Sequence, residues 1–200
     1  MDTTALQSIQ YGLFVLSAAE GGKDNACIVN TVTQVTSSPL CIAVTVNKQN
    51  YTHDMIASTK KFNVSVLDVG APFSIFERFG FQSGRTADKF DGFDGAVRTG
   101  NGLLRLSDHA AAFLSGWVIS SVDLGTHTMF IARVADCEVL SGEQSMTYSY
   151  YHTHVKPKPA AKASKGFRCK ICGYIYEGDE LPPDFICPLC KHGAEDFEKI

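Results

Sequence analysis

The residues with the clearest chemistry are four cysteines near the C-terminus, arranged as two Cys-x2-Cys pairs. Cys169 and Cys172 form the first pair, and Cys187 and Cys190 form the second. Four thiolates at this spacing predict a tetrahedral metal site, and the geometry alone leaves both zinc and iron open. In a reducing compartment, paired cysteines indicate metal or redox ligands rather than disulfides. The sequence therefore predicts that these four cysteines bind one metal ion.

The cysteines lie in a short C-terminal segment, which we place at residues 167–200. A segment of this length buries little apolar surface, so metal ligation is expected to supply much of its folding free energy. The preceding stretch KPKPAAKASKG, residues 156–166, has four Lys, two Pro and no large apolar side chain. That composition is typical of an extended linker. We therefore predict a larger domain at 1–155, a linker at 156–166 and a small domain at 167–200.

Charge and hydropathy exclude several classes of protein. The net charge of −3 gives no basic surface for nucleic acid. No apolar run approaches the roughly 20 residues of a membrane span, and the N-terminal residues lack a signal-peptide pattern. We therefore expect a soluble, cytoplasmic protein that binds neither nucleic acid nor membrane.

The larger domain must position any further chemistry, and its sequence is rich in strand signals. YGLFVLSA at 11–18 and NACIVNTVTQVTS at 25–37 flank a turn and suggest a hairpin, and LCIAVTV at 40–46 and FNVSVLDV at 62–69 continue the pattern. Two long strands are predicted to meet near Gly125, and short helices are predicted at about 52–59 and 71–80. Many strands with few helices favour an antiparallel barrel. No Gly-x-Gly-x-x-Gly follows a strand, so a Rossmann site is not supported.

The segment CKICGYIYEGDELPPDFICPLC resembles rubredoxin, with the knuckles Cys-Lys-Ile-Cys-Gly-Tyr and Cys-Pro-Leu-Cys. The aromatic residues that match the cluster beside a rubredoxin metal are Phe167, Tyr174, Tyr176, Phe185 and Phe197. The resemblance implies a single iron that cycles between the ferric and ferrous states. Two features differ from typical rubredoxins: the segment between the pairs is shorter, and Lys191 stands where Gly is usual. A structural zinc ribbon is the alternative.

The larger domain resembles the flavin reductase-like family of FMN-binding split barrels. The resemblance rests on NACIVNTVTQVTSSPL followed by VTVNKQNYTHDMI, on FGFQSGRTADKF and on LGTHTMFIARV, and spans about residues 5–150 in the family's order. It implies a mainly β fold: an FMN-binding split β-barrel with short helices, followed by the small rubredoxin-like metal-knuckle domain.

Carried over by position, the resemblance implies an FMN site built from three segments. Its residues would be Thr31, Val32, Thr33, Gln34, Asn47, Lys48, Tyr51, Thr52, Ser83 and Gly84. The first four would lie along the flavin through backbone groups, the next four would surround the phosphate, and the last two would complete the site. A helix N-terminus favours an anion, and Lys48 would add a positive charge. Ordinary roles remain the alternative: Thr and Val form strands, and Asn50 or Thr52 can cap a helix.

His127 is the candidate catalytic residue in the larger domain. In the family the matching histidine lies near the flavin, where nicotinamide is expected, so it could position either group. Thr126 stands where Asp is usual before this histidine, and a structural role for His127 is the alternative. The chemistry requires no protein acid or base, because hydride passes directly from nicotinamide to flavin.

The two resemblances together imply an oxidoreductase of the flavin reductase and rubredoxin fusion type found in anaerobes. NADH or NADPH would deliver hydride to FMN, and the iron would pass electrons singly to an external acceptor. The resemblance implies that this acceptor is a diiron flavoprotein that reduces oxygen or nitric oxide, and that the protein is a homodimer. Two alternatives stay open: a flavin reductase that releases reduced flavin and carries a structural zinc tail, and a non-catalytic sensor that binds flavin or haem.

Overall fold

The computed structural model describes residues 2–157, 166–188, 190 and 192–200. Most of the predicted linker, residues 158–165, lies outside the described residues, as does Lys191. Among the residues that are described, no helix has the length and apolar content needed to cross a membrane.

Within its described residues, the larger domain contains nine strands and a few short helices. The strands are β1 (Phe14–Glu20), β2 (Lys23–Val29), β3 (Val32–Ser37), β4 (Leu40–Asn47), β5 (Lys61–Leu67), β6 (Ala96–Arg98), β7 (Leu104–Leu106), β8 (Ala110–Asp123) and β9 (His127–Val139). The helices are a 3-10 helix (Thr3–Ser8), α1 (Tyr51–Thr59), α2 (Phe73–Gly80), α3 (Tyr148–Tyr150) and a π-helix (Tyr151–Val155). The predicted mainly β architecture is confirmed.

Seven of these strands form one antiparallel sheet in the order β2-β1-β5-β8-β9-β4-β3. The sheet is rolled, because strands from opposite ends of this order contribute to one buried cluster. Cys27 from β2 belongs to the same cluster as Val44 from β4 and Phe130 from β9. The β8–β9 hairpin is the longest pairing in the sheet and turns near Gly125, whose φ of 78° suits glycine.

The segment at 25–37 does not form the single strand that its β-branched residues predict. It divides at residues 30 and 31, and its second half, β3, pairs with β4 instead of with β1. A hydrogen bond stabilises the chain where it changes direction, because Thr31 Oγ1 donates to the Thr45 carbonyl at 2.8 Å. β3 therefore lies at the edge of the sheet, where one side of its backbone has no neighbouring strand among the described residues.

The two main helices agree with the predicted ranges and connect the strands that border the candidate site. α1 follows β4 directly and packs Met55 and Ile56 into the buried cluster inside the sheet. Lys60, at φ 59°, ends this helix in the left-handed conformation. α2 begins after Pro72 and contributes Phe76 and its apolar neighbours to a second buried cluster.

The C-terminal residues form a separate three-stranded sheet in the order β11-β10-β12. Its strands are β10 (Phe167–Cys169), β11 (Ile175–Tyr176) and β12 (Phe197–Lys199), with a 3-10 helix at Ala194–Asp196. All four predicted metal ligands are buried in this small domain, where they form a cluster with Tyr174 and Phe197. The apolar content of the small domain is therefore concentrated around the cysteines.

Candidate functional site

The four cysteine sulfurs converge into one buried group in which all Sγ atoms lie within 4.8 Å of one another. The Cys169–Cys190 and Cys172–Cys187 Sγ atoms are each 3.5 Å apart. A disulfide would bring them to about 2.05 Å. A tetrahedral ion with metal–sulfur bonds of about 2.3 Å would instead separate its ligands by about 3.8 Å. The observed spacing is therefore close to that of a four-thiolate metal site.

The backbone of the first cysteine pair turns sharply around this site. The Gly173 N–H donates to the Cys169 carbonyl at 2.9 Å, and the Cys169 N–H donates to the Tyr174 carbonyl at 2.8 Å. Gly173 has φ 82°, a conformation that side chains disfavour, so its glycine is explained by the turn. In the second pair, the Cys187 N–H donates to the His192 carbonyl at 2.8 Å.

Burial opposes ionisation of the Cys172 and Cys190 thiols in the absence of a metal cation. It raises the pKa of Cys172 to about 11, although the backbone N–H of Tyr174 favours the thiolate. Burial also raises the pKa of Cys190, partly offset by the backbone N–H of His192. A bound cation removes this cost, because coordination deprotonates a thiol outright. The donor set therefore fits a metal ion, and the N–H groups of residues 174 and 192 would support its thiolates.

Aromatic rings enclose one side of the metal site, as the sequence predicts. Phe185 is central to them: its ring centroid lies 4.7 Å from that of Tyr176 and 5.4 Å from that of Phe197. Tyr174 is stacked on the same ring at 6.4 Å. Phe167 joins the group through β10, where it pairs with Tyr176. These rings exclude water from one side of the four sulfurs.

A cavity of about 280 Å³ brings together residues from separate parts of the larger domain. Its lining includes Asn47, Asn50, Tyr51, Phe81, Ser83 and His192. The end of β4, the start of α1 and the loop after α2 thus meet at one place, as the resemblance implied for Asn47, Tyr51 and Ser83. Two larger cavities, of about 590 and 580 Å³, lie elsewhere and contain none of the predicted site residues.

The remaining predicted flavin contacts lie on β3 and just before it, and β3 pairs with β4. Thr31 reaches β4 two residues before Asn47, where its backbone and hydroxyl both contact Thr45. Val32, Thr33 and Gln34 continue along the edge strand β3, and the last two are exposed. The backbone groups of this edge are therefore available to a ligand, which is the property that the prediction requires.

Gly84 and Thr52 both pack against Asn25 of β2. Thr52 is fully buried, and its hydroxyl accepts from Asn25 Nδ2 at 2.9 Å, so its side chain faces the core. Gly84 is packed so closely that a Cβ there would lie 2.1 Å from Asn25 Oδ1. Lys23 fixes the same loop by donating to the Gly84 carbonyl at 2.7 Å. A glycine at 84 is therefore required for the loop to approach β2.

Besides the predicted Lys48, two further positive charges lie near the cavity. The Lys48 ammonium forms an ion pair with Asp123 of β8 at 2.7 Å, as the Arg85 guanidinium does with Asp54 at 2.6 Å. Lys23 and Arg85 each lie 5.1 Å from the centroid of the Tyr51 ring. Sequence reasoning missed both. Arg85 could have been found because it directly follows Ser83 and Gly84. Nothing in the local sequence marks Lys23, which the fold brings near Tyr51.

Two histidines lie beside the same region. His127 begins β9 directly opposite Asn47, and its Nδ1 is 2.9 Å from Thr126 Oγ1. His53, which sequence reasoning missed, is held between Thr128 Oγ1 at 2.9 Å and Asp54 Oδ1 at 3.0 Å. The contact with His53, followed by that with Arg85, lowers the pKa of Asp54. The ion pair of Arg85 with Asp54, at 2.6 Å, completes a charged group at the start of α1.

Comparisons with known proteins match two parts of the chain to two different family models. A model of the flavin reductase like domain matches residues 6–158, and a model of the rubrerythrin, rubredoxin-like domain matches residues 167–198. The high molecular weight rubredoxin of Moorella thermoacetica is 40% identical and is covered completely, as is this chain. The ferric-chelate reductase (NAD(P)H) of Archaeoglobus fulgidus is 37% identical over 85% of this chain and 100% of that protein.

Among solved structures, the NADH:FAD oxidoreductase of Streptomyces globisporus has a TM-score of 0.66 with 22% identity. The alignment covers 73% of this chain and 86% of that one, and it shows a shared fold. One family model covers the rolled sheet, the other covers the four-cysteine site, and the Moorella relative matches both along its whole length. The chain therefore belongs to the flavin reductase-like family and, within it, to the high molecular weight rubredoxins.

Proposed function

We propose that this protein is an NAD(P)H-dependent oxidoreductase that passes electrons through FMN to an iron bound by its four cysteines, and on to an external acceptor. Residues 1–155 and 167–200 would act as flavin and iron domains joined by the linker at 156–166. The observation that carries the proposal is the combination of both sites in one chain that is 40% identical, end to end, to a high molecular weight rubredoxin.

The cavity at the start of α1 suits the phosphate end of FMN. Asn50 precedes the helix and makes no side-chain cap, so the first amides of α1 can accept an anion. Lys23 and Arg85 add positive charge beside Tyr51. Thr31, Val32, Thr33 and Gln34 would hold the flavin ring through the free edge of β3. FMN, when bound there, supplies the two-electron acceptor for hydride.

Nicotinamide would approach from the side of His127, opposite Asn47 in the β4–β9 ladder. The role that we assign to His127 is to orient the cosubstrate or the ring, because direct hydride transfer needs no protein acid or base. The contact between its Nδ1 and Thr126 Oγ1 would fix the ring orientation. Either NADH or NADPH would serve as the hydride donor.

The four-cysteine site would hold iron, whose chemistry is one-electron exchange. Cys169, Cys172, Cys187 and Cys190 provide the ligands, and the aromatic rings around Phe185 keep water away from one side. A redox role explains why the small domain is joined to a flavin domain, since two electrons arriving together must leave one at a time. We also place the protein in the cytoplasm, where reducing conditions keep these thiols available for metal.

The external acceptor that we propose is a protein, a diiron flavoprotein that reduces oxygen or nitric oxide. Residues 167–200 carry seven acidic and four basic side chains. This charge favours a partner with a basic docking surface, and such complementarity increases association rates. Transfer rates that fall steeply as the salt concentration rises would support a charged docking surface, and rates independent of salt would argue against it.

A second candidate function has one specific observation in its favour. The ferric-chelate reductase (NAD(P)H) of Archaeoglobus fulgidus is 37% identical over 85% of this chain. The acceptor would then be a small molecule, free flavin or a ferric chelate, and the four cysteines would hold a structural metal such as zinc.

Anaerobic titration with NADH or NADPH separates these functions. We expect the purified protein to show flavin absorbance together with the red colour of a ferric thiolate site, and both should bleach as nicotinamide is added. Metal analysis should give one iron per chain. One zinc per chain and no red colour would contradict the electron-carrier proposal, and a flavin that stays oxidised with both nucleotides would indicate a sensor.

We further propose that the protein is a homodimer whose subunits meet on the outer face of the long hairpin. Trp117, Ile119, Val122 and Leu124 are exposed along β8 and the turn that follows it. Exposed apolar residues gathered in this way mark interaction surfaces. Sedimentation of the full chain should give twice the monomer mass of 21.7 kDa, and Ile119→Glu should shift it towards the monomer. A wild-type protein that remains monomeric at micromolar concentration would contradict this.

A further inference from the structure

One side chain borders both the candidate flavin cavity and the four-cysteine site. Phe81 follows α2 directly and lines the 280 Å³ cavity with Tyr51 and Ser83. The same residue packs against the buried cluster of the four cysteines. Phe73 supports it, with ring centroids 5.9 Å apart. The cavity and the metal site therefore share a wall, and Phe81 is part of it.

The small domain turns the first cysteine pair towards this wall. Ile171, the residue before Cys172, lines a second cavity of about 240 Å³ with Ile28, Phe76 and Phe81 of the larger domain. His192, beside the second pair, lines the flavin cavity itself. The two domains thus meet through apolar side chains next to the metal ligands. Charged groups are costly to bury at such a contact unless they are paired.

We propose that the small domain docks on the end of α2 through Ile171 and Phe81, and that this contact is the point at which electrons enter the metal site. The inference rests on the proposed function for its redox part, whereas the docking itself does not depend on which metal is bound. Phe81 and Ile171 are positioning residues in this account, because they hold the two centres close together and react with neither.

The transfer at this contact forms and breaks no covalent bond. Reduced FMN, when bound, would give one electron to a ferric ion held by the four cysteines, which would become ferrous, and after two such transfers the oxidised flavin would have released its proton to solvent. The second electron follows only after the external acceptor has reoxidised the iron. Because electron tunnelling weakens steeply with distance, the step depends on how closely the domains are held. A short linker alone supplies only a millimolar effective concentration.

The chain provides a matched control for this docking contact. Ile186 precedes Cys187 as Ile171 precedes Cys172, and both isoleucines are exposed, at 55% and 42%. Ile186 is not among the residues that line either cavity between the domains. A glutamate at either position therefore places the same charge one residue before a metal-ligating cysteine. Only the glutamate at 171 would lie in the contact between the domains.

The test compares Ile171→Glu with Ile186→Glu in the full chain loaded with iron and FMN. After rapid mixing with NADH, flavin reduction should keep its wild-type rate in both variants, whereas bleaching of the ferric site should slow about tenfold or more in Ile171→Glu alone. Hydrogen exchange gives a readout that is independent of turnover: the backbone amides at 79–83 should lose protection in Ile171→Glu and keep it in Ile186→Glu. Iron content and visible spectrum before mixing confirm that the site is intact.

Several results would overturn the inference. Equal slowing of iron reduction in both variants would mean that the charge acts on the metal and not on docking. Unchanged hydrogen exchange of the amides at 79–83 in Ile171→Glu would mean that the docking contact is absent. Iron reduction that speeds up in proportion to protein concentration would mean transfer between separate molecules. Failure of the proposed function is distinct, because the wild-type protein would then show no NADH-dependent bleaching at all while the exchange difference persisted. Phe81→Leu should slow iron reduction from the other side of the contact, relative to flavin reduction in the same sample.

Discussion

Replacing Cys187 by Ser should abolish electron transfer to an external acceptor and leave flavin reduction by NADH intact. Cys187 is fully buried, and its sulfur lies 3.5 Å from that of Cys172 within the four-thiolate group. A serine hydroxyl is a poor substitute, because it does not ionise under conditions in which a metal-bound thiol does. Since metal binding supplies much of the folding free energy of the small domain, the loss should also unfold it locally. The red absorbance and the bound iron report the loss directly.

Cys137→Ser is the control for this substitution. Cys137 is an exposed cysteine in β9 of the larger domain, away from the four-cysteine group, so its replacement should change neither the iron content nor the transfer rate. If Cys187→Ser lost flavin reduction together with electron transfer, the order nicotinamide, flavin, iron would be wrong. If it retained transfer, electrons would leave from the flavin and the metal would be structural.

The small domain was predictable because its information is local in sequence. Each pair of ligands spans four residues, and Gly173 marks the turn between the first pair and the strand that follows. Four thiols within reach of one another have few uses other than metal binding, so the ligand set follows from spacing alone. The choice of iron over zinc does not follow from geometry, and it depends on the resemblance and on the domain that precedes the site.

The larger domain was predictable in class but less so in detail. Long β-branched runs indicated many strands. No sequence signal at residues 30 and 31 predicts that the chain crosses there from one edge of the sheet to the other. Because of that crossing, β3 is an edge strand, and Thr33 and Gln34 lie exposed on it. Strand propensity reports local preference, whereas strand order is decided by packing of the whole sheet.

The cations beside the candidate phosphate site show the same limit most clearly. Lys48 was predicted because it precedes α1, but Asp123, 75 residues away in sequence, attracts its ammonium. Lys23, the first residue of β2, lies near the Tyr51 ring and donates to the Gly84 carbonyl, 61 residues away in sequence. Such pairings are long-range, so the sequence alone does not show which positive charges lie beside Tyr51.

Arg85→Met should weaken FMN binding about tenfold to a hundredfold, whereas Lys48→Met should change it by less than about threefold. The Arg85 guanidinium lies 5.1 Å from the centroid of the ring of Tyr51, the first residue of α1, and the backbone N–H of Arg85 donates to Ser83 Oγ at 3.2 Å. An arginine there can bind a phosphate through two donors, which makes the contribution of its charge large. The Lys48–Asp123 pair is exposed, and removing an exposed pair costs little.

Flavin titration of the apoprotein, followed by fluorescence at two salt concentrations, measures both effects. The salt dependence of binding should decrease in Arg85→Met, because a charge–charge contact with the phosphate has been lost, and should be unchanged in Lys48→Met. Asp54 would lose its partner in the arginine variant, but its contact with His53 remains and is the larger cause of its lowered pKa, so the start of α1 should stay intact. Weaker binding in Lys48→Met than in Arg85→Met would mean that bound FMN draws Lys48 away from Asp123, as the sequence alone suggested. The ranking of the two variants therefore decides whether the phosphate is held from the loop after α2 or from the end of β4.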